Sequence, residues 1–306
     1  MKASASQRRN PRLRIGKYYT RDVVTAFLFL LPAMIVFGVF KYYPLVDNLM
    51  ISLTSWDFFG PRRYVGLDNY ARLFKSSIFW NVVKNTFHYA LWSTFLSLLL
   101  GLLLALLLAK RNSWAARGLK TMFFIPNITT ASAVAILWIW IFNPSSGLME
   151  IIYSLFGAKS PDWLLNAKYA RWAIISLGVW RSMGYSMTIF ASGIAQISDD
   201  IYEAARIDGA SELRQAFNIT IPLLVPTLTF LGTTTFITGM QIFDAVQVMT
   251  SGNNGTSVLN LYIYQEAFVK SHAGRAAAAS VFLFAVLLVC TIIQRLITER
   301  KENRHA

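Results

Sequence analysis

The sequence predicts an all-α polytopic membrane protein with six transmembrane helices, and two observations carry this prediction. Hydrophobic residues make up 55% of the 306-residue chain and charged residues only 14%, whereas a soluble domain carries roughly 25% charged residues. Long uncharged stretches also recur along the chain, and a spanning helix needs about 20 apolar residues. These properties favour a bundle of membrane helices over a single soluble core.

Each predicted span is an uncharged stretch. The first is interpreted as an uncleaved signal anchor, because no small-x-small cleavage site follows it. The second contains an almost continuous aliphatic run, Leu96 to Leu108, and the third carries Trp138 and Trp140, which suit a membrane interface. Only Arg181 interrupts the fourth. The six spans are residues 23–40, 85–109, 121–149, 172–198, 215–243 and 276–294.

The distribution of basic residues predicts the orientation of the chain. If the N-terminus is cytoplasmic, the inner segments hold 17 Lys and Arg in 71 residues, and the outer segments hold 11 in 106. Cytoplasmic loops are enriched in Lys and Arg, so both termini are predicted to be cytoplasmic. The outer segments are then 41–85, 143–171 and 244–275, and the inner ones are 1–22, 110–120, 197–222 and 295–306.

Several functions find no support in the sequence. The net charge of +14 is explained by membrane orientation, because no basic patch with interleaved aromatics occurs in a soluble domain, and no nucleic-acid partner is expected. Cys290 is the single cysteine, and the three histidines lack ligand spacing, so no metal site is expected. The chain contains no P-loop motif. We therefore expect no catalytic residues and no cofactor in this chain.

Residues 197–222, here called the polar loop, separate the fourth and fifth spans. Asp200 is predicted to cap a first helix, with Glu203 three residues later as in a capping box. Gly209 follows where a left-handed residue is expected to end that helix. Ser211 can cap a second helix. Pro222 is predicted to end that second helix and open the next one.

An apolar face is predicted on the second helix of the polar loop, because Leu213, Phe217 and Ile221 recur at a spacing of four residues. Such a helix–Gly turn–helix segment is expected to lie at the cytoplasmic face. Considered without its motif, it resembles an ordinary amphipathic connector that rests on the membrane.

The motif in the polar loop is more specific. The order Glu-Ala-Ala, three residues, Gly, nine residues, Ile-x-x-Pro resembles the EAA loop of permease subunits of ABC importers, with Ile221 in place of the usual Leu. In that family the loop docks into the ATPase subunit and couples ATP hydrolysis to transport. The resemblance implies an ATPase-coupling role for Glu203, Ala204, Ala205, Asp208, Gly209, Ile219 and Pro222.

Three further segments resemble carbohydrate permeases of the maltose and glycerol-phosphate type, without the large outer insertion of maltose permeases. They are Val65 to Tyr70, Phe124 to Leu148, and Phe243 to Phe268. In the last segment, Ser251 to Gly255 replaces the Thr-x-Gly-Gly-Pro that is frequent in the family. The resemblance covers roughly residues 23–297, which form the predicted permease domain between the tails 1–22 and 298–306.

The resemblance implies a type I ABC importer architecture in which this chain forms half of the translocation pathway. The implied partners are a second homologous permease, two ATPase subunits that bind ATP and Mg²⁺, an extracytoplasmic solute-binding protein, a carbohydrate substrate and the lipid bilayer. The implied location is the inner membrane of a bacterial or archaeal cell.

Polar residues within or beside the predicted spans are candidates for the substrate pathway. An intramembrane Arg is costly and faces the protein interior or water. Arg181 therefore either lines the pathway or serves the structure, by snorkelling or by capping backbone carbonyls. Tyr185, Gln241 and Asp244 are further pathway candidates, and Asn127 and Ser186 are weaker ones.

Two other classes of protein remain as alternatives at this point. An ion-coupled secondary transporter would use intramembrane acids or broken helices as ion sites, and the uncharged stretches contain no Asp or Glu. A membrane-embedded enzyme would need converging His, Asp, Glu or Ser side chains near one face.

Overall fold

The structure is a computed structural model that describes residues 25–109, 111 and 113–302. The predicted tail 1–22 and the last four residues of the tail 298–306 lie outside this range. The chain divides into two compact units at Ile51. In the first unit, the described residues belong to helix α1 (Thr25–Ser52), which contains a π turn at Gly38–Tyr42. The described part of helix α1 lies within the predicted first span from residue 25 and continues beyond that span's predicted end at residue 40, to Ser52.

The second unit, from Ser52 onwards, is almost entirely helical in its described part. A two-stranded antiparallel hairpin, β1 (Thr54–Ser55) with β2 (Arg63–Tyr64), opens it. The helices that follow are α2 (Asp68–Lys75), α3 (Ser77–Leu108), α4 (Trp114–Ile128), α5 (Ala131–Ile141), α6 (Leu148–Leu155), α7 (Ala167–Ile194), α8 (Asp199–Ile207), α9 (Glu212–Leu223), α10 (Val225–Met240), α11 (Asp244–Met249), α12 (Leu259–Tyr264, continued by a π turn at Gln265–Val269) and α13 (Ala273–Glu302).

Helices α3, α7 and α10 form the centre of this unit. Small residues allow their close approach: a Cβ at Gly101 would lie 2.5 Å from the Cβ of Ser186, and one at Gly239 would lie 2.9 Å from the Cα of Ala90. Phe79 begins the apolar core near the start of α3, where the Oγ of Ser76 accepts its backbone N–H at 3.3 Å and caps the helix.

Three helices among the described residues are long and apolar enough to cross a membrane: Thr25–Ser52, Ser77–Leu108 and Ala273–Leu296. Two bent pairs, α4 with α5 and α9 with α10, raise the number to five if each pair is one span. Helix α7 has 28 residues and covers the predicted fourth span up to Ile194, but it carries Arg181 and is less apolar than these. The all-α membrane fold is confirmed, and the count of six spans stays a prediction.

The structure divides the third predicted span, residues 121–149, into two helices. Helix α4 ends at Ile128, α5 starts at Ala131, and the chain bends by 105° between them. Thr129 at the break is extended, with φ −79° and ψ 144°. An uncharged composition alone does not reveal this break.

Candidate functional site

The first helix of the polar loop, α8, starts earlier than the sequence suggests. Ser198 caps it, with its Oγ accepting the backbone N–H of Asp200 at 3.3 Å. The predicted cap at Asp200, with its capping box to Glu203, is therefore wrong. Asp199 and Asp200 instead occupy the first turn, where carboxylates interact favourably with the positive end of the helix dipole.

Gly209 ends this helix as predicted. Its φ is +74°, in the left-handed region that favours glycine. The N–H of Ala210 donates to the carbonyl of Ala205 at 2.9 Å, and the N–H of Gly209 donates to that of Arg206 at 3.0 Å. These two bonds form a Schellman motif. No other part of the described chain comes within 4 Å of a Cβ at Gly209, so conformation rather than packing requires glycine here.

The second helix, α9, is capped by Ser211, whose Oγ accepts the N–H of Arg214 at 3.4 Å, as predicted. The prediction that Pro222 ends α9 is wrong, because the helix continues to Leu223 and the 66° bend into α10 falls at Leu224. A π turn at Ala216–Thr220 precedes the proline. This wider turn loosens the i−4 pairing with which a proline ring would clash.

A buried polar network joins the two arms of the polar loop. The Tyr202 hydroxyl on α8 is hydrogen-bonded to Oγ1 of Thr220 on α9 at 2.9 Å. Thr220 Oγ1 also contacts the carbonyl of Gln215 at 3.4 Å, and Gln215 Nε2 donates to the carbonyl of Ala210 at 2.8 Å. All three side chains are buried. The Tyr202–Thr220 bond joins α8 to α9, and the Gln215 amide fixes the connecting turn at Ala210, so the network holds the two helices in one geometry.

Sequence analysis missed this network. Its signal was present: Tyr202 is a single aromatic residue among the acids and alanines of α8, and Thr220 is a polar residue between two isoleucines. Neither residue reveals its partner, because Tyr202 and Thr220 lie 18 residues apart.

The predicted coupling residues lie at or near the surface of the polar loop. Ala205 and Ile219 are half-buried, and the other five are exposed: Glu203, Ala204, Asp208, Gly209 and Pro222. Three large apolar side chains are exposed on the same loop, Ile207 at 86%, Leu213 at 72% and Phe217 at 66%. Leu213 and Phe217 of the predicted apolar face are thus not covered by the described part of this chain. Exposed apolar side chains grouped on one segment indicate an interaction site.

A second candidate site is a cavity of about 220 Å³ between α3, α4, α7 and α10, here called the membrane cavity. Three of the four predicted pathway residues line it: Arg181, Gln241 and Asp244. Asn127 also lines it, with the hydroxyls of Ser182, Thr235 and Thr238. The fourth candidate, Tyr185, does not line the cavity and packs against the apolar cluster that includes Phe190 and Leu231.

Glycines shape the wall of the membrane cavity. Gly178 and Gly239 both line it. A Cβ at Gly178 would overlap the hydroxyl of Tyr89, so glycine at this position leaves room for the Tyr89 side chain between α3 and α7. The backbone of the lining residue Gln241 is held by Nδ2 of Asn260, which donates to its carbonyl at 2.6 Å.

Arg181 has contacts that fit both interpretations of its role. Its Nη2 donates to the carbonyl of Thr129 at 3.1 Å, at the break between α4 and α5. Its Nε is buried and makes no hydrogen bond with any described residue. Arg181 thus caps a helix end that the break leaves without an intrahelical partner, while its side chain also lines the membrane cavity.

Neither site has the composition of a metal centre. Among residues 25–109, 111 and 113–302, no three His, Cys, Asp or Glu side chains are grouped as metal ligands. The chemistry available is hydrogen bonding and charge in the membrane cavity, and an acidic and apolar surface on the polar loop.

Comparison with known proteins gives consistent matches. Residues 97–303 match the family described as "Binding-protein-dependent transport system inner membrane component". A probable ABC transporter permease protein of Pyrococcus horikoshii is 34% identical over 277 residues, covering 89% of this chain and 94% of the relative. The sn-glycerol-3-phosphate transport system permease protein UgpA of Escherichia coli is 32% identical over 287 residues, covering 90% and 94%.

Among solved structures, one chain of a bacterial ABC transporter involved in the import of the acidic polysaccharide alginate matches with a TM-score of 0.82 and 25% identity. The match covers 94% of this chain and 99% of that one. The polar loop and every lining residue of the membrane cavity except Tyr89 and Ser93 fall within residues 97–303.

Proposed function

The chain belongs to the binding-protein-dependent transport system inner membrane component family, and on this premise we propose that it is the transmembrane subunit of an ATP-driven carbohydrate importer. It is a multi-pass inner membrane protein of a transport system and not an enzyme. The observation that carries the proposal is the polar loop, a rigid pair of short helices with exposed apolar and acidic residues, within the matched region. The bent helices also suit the ion-coupled transporter considered above, and the family match decides against that alternative.

The proposed partners follow from this loop. Two ATPase subunits bind ATP and Mg²⁺, and one of them binds the exposed surface of the polar loop. The paired Tyr202, Gln215 and Thr220 support this role, because a rigid segment can transmit a displacement that a flexible one would absorb. A second, related permease completes the pathway, and a solute-binding protein delivers the substrate on the outer side.

The proposed orientation places the polar loop and both termini in the cytoplasm. It rests on the excess of Lys and Arg in the inner segments. In this orientation the ATPase reaches the polar loop from inside, while the segments 41–85, 143–171 and 244–275 face the binding protein.

The proposed mechanism is alternating access. ATP closes the ATPase dimer, the docked loops move with it, and the helix bundles expose the pathway to the outside. ATP shifts this equilibrium only as far as it binds one state more tightly than the other. The membrane cavity is the proposed part of the pathway in this chain, with Arg181, Gln241, Asp244 and Asn127 as hydrogen-bonding groups for a polyhydroxylated solute.

The carbohydrate assignment rests on the relatives and is tested by reconstituting the complex in liposomes. Binding proteins loaded with sugars, oligosaccharides or polyol phosphates are added, and ATP hydrolysis is measured together with uptake. We expect at least one carbohydrate to stimulate both. If only peptides or amino acids do so, the carbohydrate assignment is wrong although the importer assignment stands.

A further inference from the structure

A larger cleft lies apart from both sites described above. It has a volume of about 490 Å³ and shares no lining residue with the membrane cavity or the polar loop. Three elements form it: the β1–β2 hairpin, α2 and the start of α13. We call it the outer cleft, because these elements belong to the proposed outer segments. It is lined by Ser55, Trp56, Asp57, Phe59, Pro61, Arg63, Val65, Asp68, Asn69, Arg72, His272, Gly274 and Arg275.

The walls of the outer cleft are tied together. Nδ2 of Asn69 on α2 donates to the carbonyls of Ser52 at 2.9 Å and Thr54 at 2.8 Å. The N–H of Gly274 donates to the carbonyl of Trp56 at 3.4 Å, and a Cβ at Gly274 would overlap the carbonyl of Thr54. Hairpin, α2 and α13 therefore hold one another, and the cleft is formed before any partner arrives.

Beside the cleft, the buried carboxylate of Glu266 contacts two of the lining residues, His272 and Arg275, and neutralises part of the positive charge there. Glu266 is 3% exposed and contacts Nζ of Lys270 at 2.7 Å, Nδ1 of His272 at 3.2 Å and Nε of Arg275 at 3.5 Å. Burial raises the pKa of Glu266, but the hydrogen bond from Lys270 and the charge of Arg275 outweigh it, and the pKa lies below its usual value. The carboxylate is thus ionised at neutral pH, and its single negative charge compensates only one of the two positive charges beside it, those of Lys270 and Arg275.

In the cleft itself, positive charge exceeds negative charge. The carboxylate of Asp68 pairs with Nε of Arg72 at 2.8 Å, and Oδ1 of Asp57 accepts the N–H of Phe59 at 3.1 Å. Three arginines line the cleft against these two aspartates. The side chain of Arg63 is exposed, and its guanidinium forms no hydrogen bond or ion pair with any residue that the structure describes.

The position of these arginines is unexpected for an outer segment. Six of the eleven Lys and Arg in the proposed outer segments lie between residues 41 and 85, and Arg62, Arg63 and Arg72 are among them. Arg62 stacks on the ring of Trp56 at 4.5 Å beside the cleft. Lys and Arg are enriched on the cytoplasmic side of membrane proteins, so basic residues on the outer side need another explanation. Their grouping at one cleft suggests a binding role there.

We infer that the outer cleft receives an acidic side chain of the solute-binding protein when that protein docks, with Arg63 as the principal contact. This inference rests on the function and orientation proposed above. A guanidinium presents its donors in a fork that matches a carboxylate. Substrate is the less fitting occupant, because the cleft shares no residue with the membrane cavity. The contact lies at an exposed rim, so it should govern encounter and salt dependence.

The test uses the complete complex in liposomes and follows ATP hydrolysis as loaded binding protein is titrated. For Arg63→Glu we expect at least a tenfold rise in the concentration of binding protein that gives half-maximal stimulation, with basal and maximal rates within twofold of wild type. Arg63→Lys keeps the charge and should stay within threefold. Lys75→Glu is the matched control, since Lys75 is an exposed cation of α2 that does not line the cleft.

Added salt should weaken the wild-type response and spare that of Arg63→Glu. The inference is wrong if Arg63→Glu and Lys75→Glu behave alike. It is also wrong if Arg63→Glu lowers the maximal rate without shifting half-saturation, as a substrate contact would, or changes the basal rate, as a bound anionic lipid would. A wild-type complex that no loaded binding protein stimulates would instead overturn the proposed function.

A second measurement does not depend on charge reversal. p-Benzoylphenylalanine placed at Phe59, which lines the cleft and is 78% exposed, should cross-link to the loaded binding protein in the assembled complex. The same probe at Phe217 in the polar loop should not. Failure of the Phe59 probe to capture the binding protein, in a complex that still transports, would contradict the inference.

Discussion

Gly209→Val perturbs the turn between the two helices of the polar loop. Gly209 has φ +74°, and an L-residue with a Cβ in this region is strained by about 1–2 kcal/mol. Opening the turn to relieve the strain would give up the two Schellman hydrogen bonds at 2.9 and 3.0 Å, each contributing about 1 kcal/mol. The strain of keeping the turn and the cost of losing its two hydrogen bonds are similar. A large fraction of the variant should therefore adopt an altered loop geometry.

A shift of about 1.4 kcal/mol changes an equilibrium tenfold. In reconstituted complexes we therefore expect Gly209→Val to lower binding-protein-stimulated ATP hydrolysis and uptake by about tenfold. The protein should still reach the membrane in normal amounts, because a Cβ at Gly209 meets no atom of the described chain within 4 Å.

Gly157→Val is the matched control. Gly157 ends α6 with φ +68°, has the same two hydrogen bonds, and its Cβ would also meet nothing within 4 Å. It lies in the proposed outer segment 143–171, on the side opposite the ATPase, so the same strain should leave the maximal rate at saturating binding protein intact. Equal losses in both variants would show that the effect is general destabilisation. Wild-type activity in Gly209→Val would refute the role assigned to the turn.

The remaining predictions concern single charges and the topology. Glu203→Lys reverses an exposed charge of the polar loop and should uncouple ATP hydrolysis from binding protein without lowering complex yield; unchanged stimulation would argue against a contact there. Arg181→Ala removes the donor to the carbonyl of Thr129, at a cost of about 0.5–1.5 kcal/mol; a lower melting temperature of the complex would indicate the structural role, and lower transport at normal stability the pathway role. Cysteines at positions 5 and 303, in a Cys290→Ser background, should react with an impermeant reagent only after permeabilisation, and labelling of either from outside would overturn the orientation. Because the pKa of Glu266 is depressed, its ion pairs stabilise the fold above the unfolded-state pKa, and this stabilisation is lost as the pH falls through the folded-state pKa. Glu266→Gln should lower the melting temperature at neutral pH and abolish this acid-dependent loss. A thermal-shift series across pH measures both effects.

Local rules were sufficient to predict much of the polar loop. The glycine that ends α8 and the serine that caps α9 follow from backbone preferences of single residues, and both are observed. The cap of α8 was misplaced by two residues because Ser198, Asp199 and Asp200 are all competent N-cap residues. Sequence position does not decide which of them stands at the boundary.

Features that depend on distant contacts were not predictable. The break at Thr129 lies in an uncharged run, and its carbonyl finds its donor in Arg181, 52 residues later. The bend at Leu224 rather than Pro222 depends on a π turn that leaves no compositional trace. Arg181, Gln241 and Asp244, which were pathway candidates, line the membrane cavity, whereas Tyr185, one turn along the helix from Arg181, packs against the apolar core; the sequence does not show which of them meet.

The central claim is that the polar loop seats against an ATPase subunit at the cytoplasmic face. Its most direct test is photocross-linking in the assembled, transport-competent complex. p-Benzoylphenylalanine at Phe217, 66% exposed on the polar loop, should capture the ATPase, and the same probe at Phe156, 84% exposed in an outer loop, should not. Capture of the ATPase from Phe156, or its absence from Phe217, would contradict the account.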